Sequence, residues 1–322
     1  MKRLLAKLAL LACLVTATLM FPFYTQLPYS HSLSLIINKL DLVRNTPSPK
    51  VVFVGGSGTY SGLDSKLVHK EMKCSAVNMA VYAGFGVLPI LPLIEPFLRA
   101  GDVVVIVPEY GLIHSGLKNT EKSRKWLLAA SPLSALDRYY PRSAEGLRYL
   151  LIDLADLSTS KLSILPQSLF GTSKGYHKSK RVMNEFGDMT GEAQFEDLPS
   201  DKLLDRGIAY AQKPVDANVI KELNRFTQSA ARVGCRVFFV FAAFPEGEYE
   251  MNRAAFDALY SQLRAELGIP VLGTPYDFLY PYEYFQDSVN HLSAQGKTLR
   301  TRKMIELLKP RLADNPNLAE RS

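Results

Sequence analysis

Cysteine is scarce in this sequence. The 322 residues hold only Cys13, Cys74 and Cys235. They form no CxxC pair and no Cys/His cluster, which excludes a structural zinc site. Cys74 and Cys235 lie in apolar runs (KCSAVNMAV and GCRVFFVFA), where two separate core thiols are expected rather than a bridge. Basic excess is also small. The net charge is +7, and Lys2, Arg3 and Lys7 at the extreme N-terminus supply three of those charges. There is no Arg/Lys-rich stripe with interleaved aromatics, so nucleic acid is not an expected partner. A single Trp and five His complete the list of rare residues. What is abundant is ordinary: 47% hydrophobic and 21% charged residues, the composition of a globular protein with a sizeable core.

The N-terminus pairs a basic start with a long uncharged run. After the basic MKRLLAK, Leu8–Tyr24 carries no charge. A bilayer-spanning helix needs about 20 apolar residues, and Leu4–Tyr24 reaches that length if Lys7 snorkels to the headgroups. The basic residues before it predict an N-terminus in the cytoplasm and the rest of the chain outside. Two alternatives stay open: a cleaved signal peptide, and a lipoprotein carrying its lipid at Cys13 after Leu10-Leu11-Ala12. The run is long for the first and continues well past Cys13 for the second, so an uncleaved anchor over 1–24 is the working expectation.

Residues 25–47, with Pro28, Pro47 and several Ser, read as a linker with one short helix (SLSLIINKLDLV). From there a strand–helix rhythm sets in. VVFVGG (51–56), SAVNMA (75–80) and DVVVIVPEY (102–110) are short β-branched runs suited to buried parallel strands. Helices are expected at 64–73, with Asp64 as N-cap, and at 86–99 despite its prolines. The rhythm lapses over 111–213, read as one large insertion. It resumes with helix 215–233, strand 235–243, helix 250–266, strand 269–272 and helix 293–310. Alternation of this kind predicts a mainly parallel, flavodoxin-like sheet in a three-layer α/β/α sandwich over 48–313, followed by a tail at 314–322.

Two short stretches have the residue types of covalent acyl chemistry. Gly55-Gly56-Ser57-Gly58 closes the first strand, at the carboxyl edge where parallel sheets bind ligands. It has neither the Lys of a P-loop nor a GxGxxG pattern, so no nucleotide cofactor is expected. Asp287-Ser288-Val289-Asn290-His291 precedes the last helix. A serine nucleophile needs a base, and the base needs a carboxylate to hold its tautomer. Asp287 and His291 are four apart, so one helical turn would put them on one face. Asp277, fourteen residues before His291, is the rival acid, but Pro275 beside it marks a turn.

Together these stretches resemble the SGNH/GDSL hydrolase superfamily, in which a Gly-x-Ser block follows the first strand and an acid–His block lies near the C-terminus. The likeness covers about 50–110 and 235–310. It is closest to the membrane-anchored branch that includes alginate O-acetyltransferase accessory proteins and the teichoic-acid D-alanyl transfer protein. The resemblance implies Ser57 as nucleophile, His291 as base and Asp287 as its partner. Gly84, after Val77-Asn78-Met79-Ala80, would lend an oxyanion N–H. The family's third block, Gly-x-Asn-Asp, is absent, and Val107-Pro108-Glu109-Tyr110 stands in its place. Asn78 or backbone groups would substitute, with Gly56 and Glu109 also lining the site. Ser293 stands where the family has Asn after His-Leu, and the Asp-to-His spacing is four rather than three. The implied activity is acyl transfer to or from an envelope polysaccharide, with a multispanning membrane acyltransferase as a partner. The alternatives are a stand-alone esterase and a non-catalytic scaffold.

Overall fold

The computed structural model describes residues 1–24, 31–114, 121–131, 136, 139–169, 182–190 and 199–313. The expected tail at 314–322 lies outside them. The chain divides into two compact units: Met1–Asn38 with Glu121–Lys180, and Lys39–Thr120 with Arg181–Ser322.

The second unit carries the sheet. Five strands, β1 (Lys50–Gly55), β2 (Ser75–Asn78), β3 (Val103–Val107), β4 (Arg236–Val240) and β6 (Val271–Leu272), lie in the order β2-β1-β3-β4-β6. Every pairing is parallel, from Lys50 opposite Ser75 to Val240 opposite Leu272. β5 (Phe244–Pro245) and β7 (Leu279–Tyr280) form a separate parallel pair. Every residue of β1 and β3 is buried. Runs such as Val-Val-Phe-Val and Val-Val-Val-Ile-Val must be covered on both faces, and helices flank the sheet in a three-layer sandwich. Helix Ala294–Ala313 packs on Ser65–Met72, and Ala217–Arg232 packs on β4. The order is that of flavodoxin-like sheets, whose crevice opens between the first and third strands at their carboxyl ends.

Two expectations need correction. Helix 86–99 shrinks to Ile90–Ile94 and a 3-10 turn Glu95–Phe97, because Pro89, Pro92 and Pro96 supply no N–H to an intrahelical ladder. Helix 250–266 is broken into Glu246–Met251 and Arg253–Glu266 at Asn252, whose side-chain amide donates to the Glu248 and Ile208 carbonyls. The helix expected within 25–47 is present and runs over His31–Asn45, with Leu33, Leu35, Ile36, Leu40 and Val43 buried.

Within the 111–213 stretch, residues 121–180 fall in the first unit, and 111–120 and 181–213 in the second. In the first unit, helix Glu121–Ala130 joins helix Ala144–Leu169 through Arg124 Nε and Asp153 Oδ2 (2.6 Å), and Tyr140 donates to the same carboxylate (2.7 Å). Helix Lys2–Tyr24 packs against helix Ala144–Leu169, with Ser158 Oγ donating to the Thr18 carbonyl (2.8 Å). Its Lys2–Phe21 stretch, of mean hydropathy 2.2, is long and apolar enough to cross a membrane.

Candidate active site

β1 ends at Gly55, and the chain turns directly into the short helix Ser57–Gly62. Ser57 takes the first helical position, where backbone N–H groups have no intrahelical acceptor. The turn is held from three sides. Thr59 Oγ1 donates to the Val107 carbonyl at the end of β3 (3.0 Å). Ser61 Oγ donates to the Ser57 carbonyl (2.9 Å). Gly58 N donates to Glu109 Oε1 (2.6 Å). Glycine is required here by close approach. A Cβ on Gly58 would stand 2.7 Å from the Asn290 carbonyl, and one on Gly56 would overlap the Glu109 carboxylate.

The second stretch reaches Ser57 from the other end of the chain. Ser57 Oγ lies 2.9 Å from His291 Nε2, and His291 Nδ1 lies 2.7 Å from Asp287 Oδ1. With its proton on Nδ1, the ring donates to Asp287 and accepts from the Ser57 hydroxyl, which is the order a general base requires. The structure therefore brings Ser57, His291 and Asp287 into one chain of hydrogen bonds.

The spacing of four is not reached by a helical turn, as the sequence suggested. Residues 285–293 form a loop closed by an antiparallel bridge between Phe285 and Leu292. Gln286 N donates to the His291 carbonyl (2.9 Å), and Ser293 N donates to the Tyr284 carbonyl (2.8 Å). Leu204 pins the loop's other edge, donating to the Asp287 carbonyl and accepting from Val289 N. Phe285 and Leu292 are buried with Leu203 and Ala243, so the loop is anchored by packing as well as by hydrogen bonds. Asp277, the rival acid, closes a capping box with Thr274 instead.

Burial lowers the His291 pKa below the ordinary imidazole value. The Asp287 hydrogen bond and charge, and the Asp205 charge, oppose that shift. A neutral, proton-accepting imidazole is thus favoured near neutrality. Asp205 has no sequence signature. It holds a left-handed backbone (φ 63°) immediately after Leu204, and only the fold shows that its charge acts on His291.

The remaining candidates divide. Gly84 is exposed on the 3-10 turn Ala83–Phe85, beyond the carboxyl end of β2. The segment leading to it runs along β1, with Met79 N on the Phe53 carbonyl and Val81 N on the Gly55 carbonyl. Asn78 is not placed as an oxyanion donor. It is fully buried, and its amide nitrogen donates to Asp188 Oδ1 (2.9 Å) and to the Thr59 carbonyl (3.1 Å), while its oxygen accepts from Ala80 N. Glu109 does not line an open site either. Its carboxyl is buried behind the Gly56-Ser57-Gly58 turn, with Oε1 on Gly58 N and no hydrogen-bond partner for Oε2 among the described residues. Burial raises its pKa, against the opposing pull of the Gly58 N–H and the Arg300 charge. Gly56 serves as the small neighbour that admits this carboxyl.

A cavity of about 280 Å³ adjoins the loop and is lined by Ser61, Asp64, Met189, Gln286, Leu292 and Lys297, but by none of the three hydrogen-bonded side chains. Among the described residues no group of His, Cys, Asp and Glu is arranged to hold a metal ion. Cys74 and Cys235 are buried free thiols.

No protein-family model matches the chain, and comparison with curated proteins found no match either.

Proposed function

We propose that this protein is a serine-dependent acyl-transfer enzyme of the SGNH/GDSL type, acting on a glycan outside the cytoplasmic membrane. The observation that supports this most is the continuous relay from Ser57 Oγ through His291 to Asp287 at the carboxyl edge of a flavodoxin-like sheet. In the proposed reaction Ser57 Oγ attacks the carbonyl carbon of an acyl donor while His291 Nε2 takes the hydroxyl proton. Asp287 fixes the ring and stabilises the imidazolium. The tetrahedral oxyanion takes hydrogen bonds from the backbone N–H groups of Ser57 and Gly84. Collapse expels the leaving group, which receives the proton from His291 and leaves an acyl-Ser57. A sugar hydroxyl then gives its proton to His291 and attacks the acyl carbon, releasing Ser57. If water takes that place, the protein is an esterase.

Lys2, Arg3 and Lys7 before the apolar helix favour a single-pass anchor with the sheet unit outside, where a multispanning acyltransferase could deliver the acyl group. A C-terminal reporter that works only outside the cytoplasm should be active; activity only of a cytoplasmic reporter would overturn this topology. One observation favours a non-catalytic scaffold as the second reading: the buried Glu109 carboxyl stands where the resemblance calls for an oxyanion-binding Asn. Turnover of an activated acetyl ester separates the two. The full chain should hydrolyse it, and Ser57→Ala should abolish that activity with an unchanged far-UV spectrum. Equal turnover by Ser57→Ala would rule out the nucleophile, and no turnover by the native chain would favour the scaffold.

A further inference from the structure

The first unit presents an apolar surface that the chemistry at Ser57 does not use. Helix Ala144–Leu169 is exposed along much of its length. Leu147, Leu151, Ile152 and Leu162 are 41% to 56% exposed, an unusual concentration of large apolar side chains on one element. At 3.6 residues per turn, Leu147, Leu151, Ala155, Ser158 and Leu162 fall within one arc of about 80°. The neighbouring arc, with Asp153, Leu157 and Lys161, is buried. The arc opposite the stripe carries Tyr149, Asp156 and Ser160, all exposed.

The position of Ser158 within that stripe decides what the stripe faces. Its hydroxyl donates to the carbonyl of Thr18, near the C-terminal end of helix Lys2–Tyr24. That helix is exposed from Lys2 to Thr18 and becomes half-buried only at Leu19, Met20 and Phe21. The two helices therefore meet at one end of the apolar segment, not along its length. A helix of about 20 residues spans about 30 Å, the hydrocarbon thickness of a bilayer. If Lys2–Phe21 crosses the membrane, Thr18 and the residues after it lie at the boundary between acyl chains and headgroups. The stripe meets the spanning helix at this level through Ser158, which is buried at that contact. Glu145, Arg148, Asp153, Asp156 and Lys161 make this second helix too charged to span. A charged face beside an apolar stripe is the pattern of a helix lying in the interface plane.

We propose that helix Ala144–Leu169 is a membrane-interface helix, lying in the headgroup–acyl boundary with Leu147, Leu151, Ala155 and Leu162 against lipid. This rests on the reading of Lys2–Phe21 as a membrane span. The helix gives the first unit a second hold on the bilayer and fixes how that unit stands on its surface.

Fluorescence quenching tests the proposal on the full chain. Trp126→Phe removes the native tryptophan, and single tryptophans are then introduced by Leu11→Trp, Leu151→Trp, Leu162→Trp or Ser160→Trp. Each protein is reconstituted into phosphatidylcholine vesicles with or without bromine on the acyl chains, and far-UV spectra check folding. Burial of an interfacial helix to about 5–10 Å predicts that emission at Leu151→Trp and Leu162→Trp falls about twofold in brominated vesicles. Leu11→Trp should be quenched as strongly, and Ser160→Trp should keep its emission. Quenching at position 11 but at neither 151 nor 162 would leave the anchor standing and overturn the interface helix, pointing to water or a protein segment on the stripe. No quenching at position 11 would overturn the anchor itself, and the interface helix with it. Equal quenching at 151 and 160 would also overturn the proposal, since the helix would then be surrounded by lipid.

Discussion

Two polar clusters within the sheet unit use nearly the same residue types and do different things. One is Ser57, His291 and Asp287, whose His and Asp side chains retain 13% and 16% exposure. The other is Lys39, Ser65, Asn78 and Asp188, each no more than 1% exposed apart from the shared backbone groups around them. In the buried cluster, Lys39 Nζ donates to the Asn78 and Gly187 carbonyls and lies over the Tyr60 ring, 4.1 Å from its centre. Asp188 accepts from Ser65 N, Ser65 Oγ and Asn78 Nδ2. Burial holds the Lys39 pKa well below that of a free lysine, with Asp188 opposing the shift. The sealed cluster spends its hydrogen bonds fixing the segment around Asp188 against β2. The open one is a linear relay that begins at a hydroxyl on the ligand-binding edge of the sheet. Exposure at one end and an ordered donor–acceptor sequence, rather than residue type, separate the proposed chemistry from architecture here.

Substitutions should therefore divide cleanly between the clusters. The largest expected effect is on activity: Asp287→Asn should lower turnover of an activated ester by about 10³- to 10⁴-fold, because the ring loses its tautomer and orientation, while Tm changes little. Asp277→Asn, which touches a capping box and the Lys303 ammonium, should leave turnover nearly unchanged; the reverse order would break the assignment. Next comes Asp188→Ala, which strands Ser65 N–H and one N–H of the Asn78 amide and leaves Lys39 buried without its counter-charge. It should cost about 3 kcal/mol or more in denaturant unfolding. A Tm as robust as that of the native chain would show that the two clusters do not differ as described.

Glu109 joins the two kinds of behaviour, since it is sealed yet props the serine turn. Glu109→Ala leaves Gly58 N–H unpaired and opens space behind the turn, at a cost of about 1–3 kcal/mol and with reduced turnover. Glu109→Gln keeps an acceptor for that N–H and should retain most of both. Equal losses in the two variants would mean that the charge, and not the acceptor, is what the turn needs.

The smallest effect is on pH. In the proposed mechanism activity requires neutral His291, so it should fall as pH drops through a midpoint below the ordinary imidazole value. Asp287 and Asp205 both favour the protonated ring. Asp205→Asn should therefore move the acid limb to lower pH, and Asp287→Asn should move its residual activity further in the same direction. A shift to higher pH in either variant would contradict the electrostatic account.

The strands and the ends of the relay were legible in the sequence because their signals are local. Val-rich runs, the Gly-Gly-Ser turn and the Asp–His spacing each need only a few neighbouring residues. Asn78 was misread because its partner Asp188 lies 110 residues away, in a stretch without strand–helix rhythm. The His31–Asn45 helix was legible despite its flanking prolines and serines, because Leu33, Ile36, Leu40 and Val43 have helical spacing. The Asp287–His291 geometry was expected for the wrong reason, since pairing with Leu204 and Phe285–Leu292 bridging, both long-range or loop-specific, shape that turn.

The central claim is that Ser57 is an activated nucleophile, and covalent labelling tests it most directly. A fluorophosphonate incubated with the full chain should modify one residue, located at Ser57 by peptide mass spectrometry. Asp287→Asn should slow the labelling strongly, and His291→Ala should abolish it. No adduct on the native chain, or an adduct at Ser57 that forms equally fast without His291, would contradict the account.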